Sequence, residues 1–194
     1  MLVGMTGNMG SGKSFVCQFF SVLGIPIYHS DERAKQLLVE DPELVEAVKQ
    51  LLGPEAYSSL GVLNREYIAN KVFANKELLL QYNGIIHPAV RRDAEKWHRN
   101  HVAAPYTIQD AALIFESGNY KHLDFIICVT APLKTRIARI KNRDGIDEAT
   151  AMRRIENQWP EEKKVEKSNA VIINDGVAPV IPQVWNLHHQ LLAL

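Results

Sequence analysis

The stretch that decides the fold is Gly7-Asn8-Met9-Gly10-Ser11-Gly12-Lys13-Ser14. It fits the pattern G-x-x-x-x-G-K-[ST] at every specified position and directly follows the apolar run 2–5. A backbone that wraps a polyphosphate must turn several N–H groups inward, and glycines permit the close approach and the φ angles that this requires. The stretch therefore predicts a phosphate-binding loop (P-loop), in which Lys13 reaches the β- and γ-phosphates of a nucleoside triphosphate and Ser14 ligates Mg²⁺.

The segments on either side of this loop have the right order. Residues 14–23 carry apolar side chains at helical spacing and end before Gly24, a residue typical of the position after a helix. A chance glycine-rich turn with a lysine is the alternative, and it leaves this strand, loop and helix order unexplained. The predicted nucleotide contacts in this part of the chain are Gly10, Ser11, Gly12, Lys13, Ser14 and Phe15.

The rest of the chain alternates short β-like runs with longer helical patterns, which predicts an α/β fold with a parallel sheet flanked by helices. The predicted strands are 2–6, 24–28, 106–109, 125–129 and 171–173. A helix is predicted over 133–143 behind Pro132, and a second one begins at Asp147 and stops near Pro160. Residues 30–102 are too many for one crossover and contain helical patterns, so they are predicted to form a helical insertion.

Composition narrows the class of protein. The 22 basic residues equal the 22 acidic ones, so a broad electrostatic surface for nucleic acid or for an anionic membrane is not expected, and small anionic ligands fit better. Cys17 and Cys128 lie in apolar segments and are predicted to be buried free thiols, as expected in a reducing cytoplasm. No leader segment or membrane-spanning segment is expected. The oligomeric state stays open.

A carboxylate follows the second predicted strand, in the sequence His29-Ser30-Asp31. Open α/β sheets bind ligands at the carboxyl ends of their strands, which places Asp31 beside the expected γ-phosphate. In phosphoryl transfer to an alcohol, such a group orients the acceptor hydroxyl, takes its proton and helps to hold Mg²⁺. The alternative is that Asp31 only caps a helix over 32–39, because aspartate is a favoured N-cap residue.

Several further segments distinguish this chain from other P-loop proteins. They are Leu63-Asn64-Arg65, Val72-Phe73-Ala74-Asn75, Ile86-His87-Pro88, Leu113-Ile114-Phe115-Glu116-Ser117-Gly118, Arg139-Ile140-Lys141-Asn142-Arg143-Asp144, Arg154-Ile155-Glu156-Asn157-Gln158, Lys163-Lys164 and Val171-Ile172-Ile173-Asn174-Asp175-Gly176. With the P-loop and Asp31, they make the chain resemble the dephospho-coenzyme A kinase family over nearly its whole length. The resemblance implies a P-loop fold like that of the nucleoside-monophosphate kinases, in one domain over 1–194. Its core covers about 1–29, 103–134 and 168–194, with the acceptor-binding insertion at about 30–102 and a lid at about 135–167.

The resemblance also implies a reaction, the transfer of the γ-phosphoryl group of ATP, with Mg²⁺, to the ribose 3′-hydroxyl of dephospho-coenzyme A. It casts Asp31 as the catalytic base and as a metal and substrate contact, and Arg139 and Arg143 as lid residues that reach over the phosphates. Lys13, Mg²⁺ and guanidinium groups suit the charge that spreads over the transferred group. Taken without the resemblance, the two arginines fit a solvated helix face better than a phosphate contact.

Three weaker candidates follow from the same segments. His87 is either a contact to the acceptor or a hydrogen-bonded structural residue before Pro88. Glu116 either faces the acceptor ribose or the metal, or is an acid at the N-terminus of a helix. Asn174 is a candidate for the adenine site, although Asn174-Asp175-Gly176 is also a simple turn signal.

Two kinds of alternative remain open at this point. Another small-molecule P-loop kinase, acting on a nucleoside monophosphate or a polyol, uses the same phosphate machinery, and a nucleotide-binding switch also needs a P-loop. The family commonly has Asp-Ala-Asp where this chain has His29-Ser30-Asp31, which raises the possibility of an inactive homologue. An inactive homologue is disfavoured because the chain retains Lys13, Ser14, Asp31, Arg139 and Arg143.

Overall fold

The computed structural model describes all residues from 1 to 194. The strands are β1 (Leu2–Thr6), β2 (Ile27–His29), β3 (Thr107–Asp110), β4 (Phe125–Thr130) and β5 (Ala170–Ile173). The helices are α1 (Lys13–Val22), α2 (Ser30–Glu40), α3 (Pro42–Leu52), α4 (Arg65–Phe73), α5 (Lys76–Arg99), α6 (Leu133–Asp144), α7 (Glu148–Glu156), α8 (Glu161–Glu166) and α9 (Val180–Leu192). Short 3₁₀ turns occupy Pro54–Ala56 and Asn119–His122.

The five strands form one parallel sheet in the order β2-β3-β1-β4-β5. β1 lies at the centre, where Val3 pairs with Ile108 of β3 on one side and with Phe125 of β4 on the other. All five residues of β1 are buried, as expected for a strand that is covered on both faces. The predicted parallel α/β sheet is confirmed.

Helices α1 and α9 supply much of the core around this sheet. α9 places Val180, Val184, Leu187 and Leu191 on one buried stripe, at the spacing of an amphipathic helix. α1 buries Val16, Cys17 and Phe20. These residues pack with the buried strand residues in one hydrophobic cluster, which holds the amino end of α1, and therefore the P-loop, against the centre of the sheet.

The second strand begins later than the predicted residue 24. Gly24 has φ 81°, and the backbone N–H groups of Gly24 and Ile25 donate to Ser21 and Phe20 at the end of α1. This left-handed glycine closes the helix, as predicted, and cannot at the same time begin a strand. Pro26 then offers no N–H for pairing, so β2 starts at Ile27.

The chain divides into two compact units, one of residues 1–29 and 98–194 and one of residues 30–97. The first unit contains the whole sheet. The second is helical, with buried Leu44, Val48 and Leu52 on one face of α3. Within it, Arg33 of α2 donates to both carboxylate oxygens of Asp93 of α5, over 2.9 and 3.2 Å. No helix in the chain combines the length and the apolar character needed to cross a membrane.

Both cysteines are free and buried, as predicted, and burial raises the pKa of each thiol to about 12. Because the thiolate is the reactive form, neither cysteine should react with a disulfide reagent at pH 8 while the chain is folded. We expect no release of thionitrobenzoate from the native chain and two equivalents in urea. Rapid labelling of Cys17 or Cys128 under native conditions would contradict the buried positions.

Candidate phosphate-binding site

Polar groups collect at the carboxyl edge of the sheet. The P-loop follows β1, His29 and Asp110 are the last residues of β2 and β3, and Asn174 follows β5. Since the strand order reverses around β1, this edge is where an open parallel sheet offers its ligand crevice. The sequence places the P-loop there because β1 is buried and uninterrupted up to Thr6.

The P-loop has the backbone that its glycines predict. Gly10 has φ 81° and Gly12 has φ 87°, both in the left-handed region that other residues rarely adopt. A Cβ on Gly10 would lie 2.6 Å from the carbonyl oxygen of Arg136, so the space there also demands glycine. α1 begins directly after Gly12, and its first N–H groups have no partner within the helix. Such a loop and helix start form an anion-binding concavity.

Lys13 is paired with Asp110. Its ammonium group contacts one carboxylate oxygen of Asp110, and the side chains of Lys13 and Asp110 are only 13% and 7% exposed. The other carboxylate oxygen of Asp110 lies 3.0 Å from Nδ1 of His29. Asp110 thus joins the P-loop lysine to the histidine at the end of β2.

Two side chains hold the outer carbonyl groups of the P-loop. Arg139 of α6 donates to the carbonyl oxygens of Gly10 and Ser11, each over 3.2 Å, and to the carbonyl oxygen of Asn174 over 3.0 Å. The Asn174 side chain donates to the Ser11 carbonyl oxygen over 2.8 Å. The structure therefore brings Arg139 and Asn174 together with the P-loop.

Arg143, one turn further along α6, is paired with an acidic neighbour and not with the P-loop. Its guanidinium group forms a 2.7 Å ion pair with the adjacent Asp144, which also pairs with Arg154 of α7 over 2.8 Å. These partners hold the pKa of Asp144 below its usual range. Arg143 is exposed and contacts neither the P-loop nor Asn174, which fits the solvated helix face that its charge pattern also allows.

Contacts to the first half of the P-loop come from residues that sequence reasoning did not propose as site residues. The backbone N–H of Met9 donates to the side-chain oxygen of Gln158 over 2.7 Å, and the side chain of Asn8 donates to the carbonyl oxygen of Trp159 over 2.9 Å. Gln158 ends one of the segments that carry the family resemblance, and this was the available signal. The connection between α7 and α8 therefore braces the loop.

Glu116 takes part in the same buried network. Its Oε1 accepts from the Trp159 backbone N–H over 3.0 Å and pairs with the Lys164 ammonium group over 2.7 Å, while Oε2 is buried without a hydrogen bond. Lys164 is fully buried and also donates to the Ala112 carbonyl oxygen over 2.9 Å. Residues 112–118 form turns, so the alternative of an acid at a helix N-terminus is wrong for Glu116.

Breaking this buried pair should destabilise the chain strongly. Lys164→Met leaves the Glu116 carboxylate buried without its counter-charge, and we expect a loss of about 3–5 kcal/mol in the free energy of unfolding, measured by urea titration. The matched control is Lys163→Met, because exposed Lys163 only lies 4.1 Å from the centroid of the Trp159 ring and should contribute about 1 kcal/mol or less. Equal losses in the two variants would contradict this description.

Asp31 and His87 belong to the helical unit. Asp31 is exposed in the first turn of α2, which begins at Ser30, so the alternative of an N-cap at Asp31 is wrong because Asp31 lies inside the helix. A carboxylate there interacts favourably with the helix dipole. His87 is half-buried inside α5, directly before Pro88, and burial lowers its pKa, which favours a neutral imidazole at pH 7.

The donor set suits Mg²⁺ in the way nucleotide enzymes use it. The chain has no cluster of three or more His, Cys, Asp or Glu side chains able to form a complete metal cage. Mg²⁺ bound with nucleotides typically needs only one or two protein oxygens, because phosphates and water complete its octahedron. Exposed Ser14 in the first turn of α1 offers one such oxygen.

Comparison with known proteins identifies one family whose members match nearly the whole chain. The family model described as dephospho-CoA kinase matches residues 1–179. The dephospho-CoA kinase of Bacteroides fragilis strain YCH46 is 38% identical over 95% of this chain and 90% of its own length. A crystal structure of TT1252 from Thermus thermophilus superposes with a TM-score of 0.83 at 31% identity, covering 100% of this chain and 96% of that one.

A more distant match concerns the fold alone. Shikimate kinase from Bacteroides thetaiotaomicron superposes with a TM-score of 0.57 at 11% identity, covering 100% of this chain and 99% of that one. The fold is thus that of the P-loop kinases. The family match covers the P-loop, both candidate arginines and Asn174. The chain belongs to the dephospho-CoA kinase family.

Proposed function

We propose that this chain transfers the γ-phosphoryl group of ATP to the ribose 3′-hydroxyl of dephospho-coenzyme A, which yields coenzyme A and ADP. The observation that carries this proposal is the family match over residues 1–179, joined to a complete P-loop at the centre of the sheet. The kinase family implies ATP as the phosphoryl donor. The two buried free thiols suit a reducing cytoplasm, which we keep as part of the proposal.

The phosphate side of the proposed site is built from the P-loop. Its inward N–H groups hold the β- and γ-phosphates, and Lys13 exchanges Asp110 for phosphate oxygens when ATP binds. Arg139 lies against the loop and, once released from the Gly10 and Ser11 carbonyl groups, can meet the charge that develops on the transferred group. Mg²⁺, held by Ser14 and Asp31, would neutralise charge on the β- and γ-phosphates.

Asp31 is proposed as the base on the acceptor side. The ribose 3′-oxygen forms a bond to the γ-phosphorus, the bond from that phosphorus to the bridging oxygen of ADP breaks, and the hydroxyl proton passes to the Asp31 carboxylate. A largely neutral His87 suits a hydrogen bond to the acceptor. Glu116 is proposed to contact the acceptor through its Oε2, which has no hydrogen-bond partner.

We assign these roles to segments as follows. Residues of about 30–102, which include Asp31 and His87, carry the acceptor site, and residues of about 135–167 act as the lid. Arg143, exposed on α6, is kept as the second lid cation, for which it must leave Asp144. Phe15, half exposed at the start of α1, is proposed as a nucleotide contact.

An assay with a panel of acceptors tests this proposal. The purified chain is incubated with Mg-ATP and dephospho-coenzyme A, with AMP, with shikimate, or with no acceptor, and products are identified by mass spectrometry. We expect coenzyme A and ADP with the first acceptor only. Phosphorylation of AMP or shikimate would indicate a different small-molecule kinase, and equal ADP release without acceptor would indicate an ATPase or a switch.

A further inference from the structure

Asn174 lies against the P-loop, on the side to which the Ser11 carbonyl oxygen points. It is 7% exposed, and its backbone N–H donates to the carbonyl oxygen of Thr130 at the end of β4 over 2.8 Å. Its side-chain oxygen accepts from Arg139 over 3.4 Å, which leaves the amide nitrogen to donate to the Ser11 carbonyl oxygen over 2.8 Å. Each end of the amide thus has a partner of the right polarity.

This contact controls the direction of one peptide group. In a trans peptide the carbonyl oxygen and the following N–H point in opposite directions, so anchoring the Ser11 carbonyl on the outside turns the Gly12 N–H toward the inside of the loop. A Cβ on Gly12 would collide with the Asn174 amide nitrogen, which shows how closely the side chain packs on this peptide. The left-handed φ of 87° at Gly12 belongs to the same arrangement.

Asn174 has a shorter side chain than Arg139, the other residue that donates to the Ser11 carbonyl oxygen. Arg139 holds the same Ser11 carbonyl through a long side chain from α6, over a longer distance of 3.2 Å. The proposed reaction requires that guanidinium group to leave the loop and face the phosphates. Asn174 has a short side chain on a backbone tied to β4, so it can hold the Ser11 carbonyl without Arg139.

We propose that Asn174 is a positioning residue that keeps the Ser11–Gly12 peptide oriented for phosphate binding, and that its amide does not read the adenine base. The inference rests on the proposed nucleotide site but not on the identity of the acceptor. It predicts that Asn174 affects every ligand with a polyphosphate chain, with or without a base.

Calorimetric binding of ATP and of inorganic tripolyphosphate provides the test. The variants are Asn174→Ala, which removes the donor, and Asn174→Asp, which keeps the volume but turns a carboxylate oxygen toward the Ser11 carbonyl. The matched control is Gln183→Ala. The Gln183 side chain forms hydrogen bonds with the N–H and the carbonyl oxygen of Ile173, the residue before Asn174, over 2.8 and 2.9 Å, and it does not touch the P-loop. Thermal unfolding confirms that each variant is folded.

We expect Asn174→Ala to weaken both ligands by a similar factor of about ten, as for a lost hydrogen bond to an oriented group, and Asn174→Asp to weaken both at least as much. The control should change either affinity by less than about twofold. Loss of ATP affinity with unchanged tripolyphosphate affinity would identify a base reader and overturn the inference. Unchanged affinity for both ligands in the folded Asp variant would also overturn it.

The same titration separates this inference from the proposed function. A wild-type chain that binds tripolyphosphate through Asn174 but makes no coenzyme A would disprove the proposed acceptor and leave the positioning role intact. If the wild-type chain makes coenzyme A and Asn174→Ala binds tripolyphosphate as tightly as wild type, the proposed function stands and the positioning role is disproved.

Discussion

Asp31→Asn is expected to lower kcat for coenzyme A formation by about 10²- to 10⁴-fold, the range typical of a lost general base. The amide keeps the shape of the side chain but cannot take the proton of the 3′-hydroxyl. The measurement is steady-state coenzyme A formation at saturating ATP and dephospho-coenzyme A. Asp31 is exposed at the surface of its own unit, so this loss should come without a large change in stability.

A matched control exists in the next residue. Glu32 is also an exposed acid in the first turn of α2, so Glu32→Gln removes the same charge from the same helix end. We expect its kcat to stay within about threefold of wild type, as for a surface substitution away from the chemistry. If the two variants lost activity equally, the effect would belong to the charge of the helix terminus, and Asp31 would not be the base.

Lys13→Met should produce the second large effect, a fall in kcat/KM on the order of 10³-fold, because one preorganised charge on the transferred phosphoryl group is removed. The same variant leaves Asp110 buried without its ammonium counter-charge, while His29 stays beside it. Loss of activity in this variant alone could therefore come either from the lost contact to the phosphate or from a lower free energy of unfolding. Activity and urea unfolding have to be measured together.

The double variant Lys13→Met with Asp110→Asn separates the two effects. Neutralising Asp110 removes the uncompensated charge, so the free energy of unfolding should recover relative to Lys13→Met. Activity should remain at the level of the single variant, because the phosphate still lacks its ammonium group. Recovery of activity together with stability would show that Lys13 acts through the fold and not on the phosphate.

Much of the fold was accessible from the sequence, because its signals are local. The P-loop, the apolar runs and the start of α7 at Asp147 each depend on neighbouring residues, and the structure confirms them. The start of the second strand was predicted three residues early, since an apolar run does not reveal that Gly24 is used to close α1. The order of the strands in the sheet is a long-range property that no local pattern contains.

The contacts of the site were harder to predict for the same reason. Asn174 and Ser11 are 163 positions apart, so a turn signal at 174 could not show that its amide binds the P-loop. Lys164 stands beside Lys163 in a charged segment and looks like a surface lysine, yet it is fully buried on Glu116. Periodicity indicates which face of a helix is apolar, but it cannot show that a carboxylate far away in the sequence pairs with a lysine on that helix.

The position of the new phosphate tests the central claim most directly. The product of wild-type chain, Mg-ATP and dephospho-coenzyme A is purified, and the site of phosphorylation is assigned by phosphorus and proton NMR of the ribose. The proposed function predicts one new phosphomonoester, on the 3′-oxygen, and its absence from the Asp31→Asn reaction over the same time. A phosphate on the 2′-oxygen, on another part of the molecule, or on no acceptor at all would contradict it.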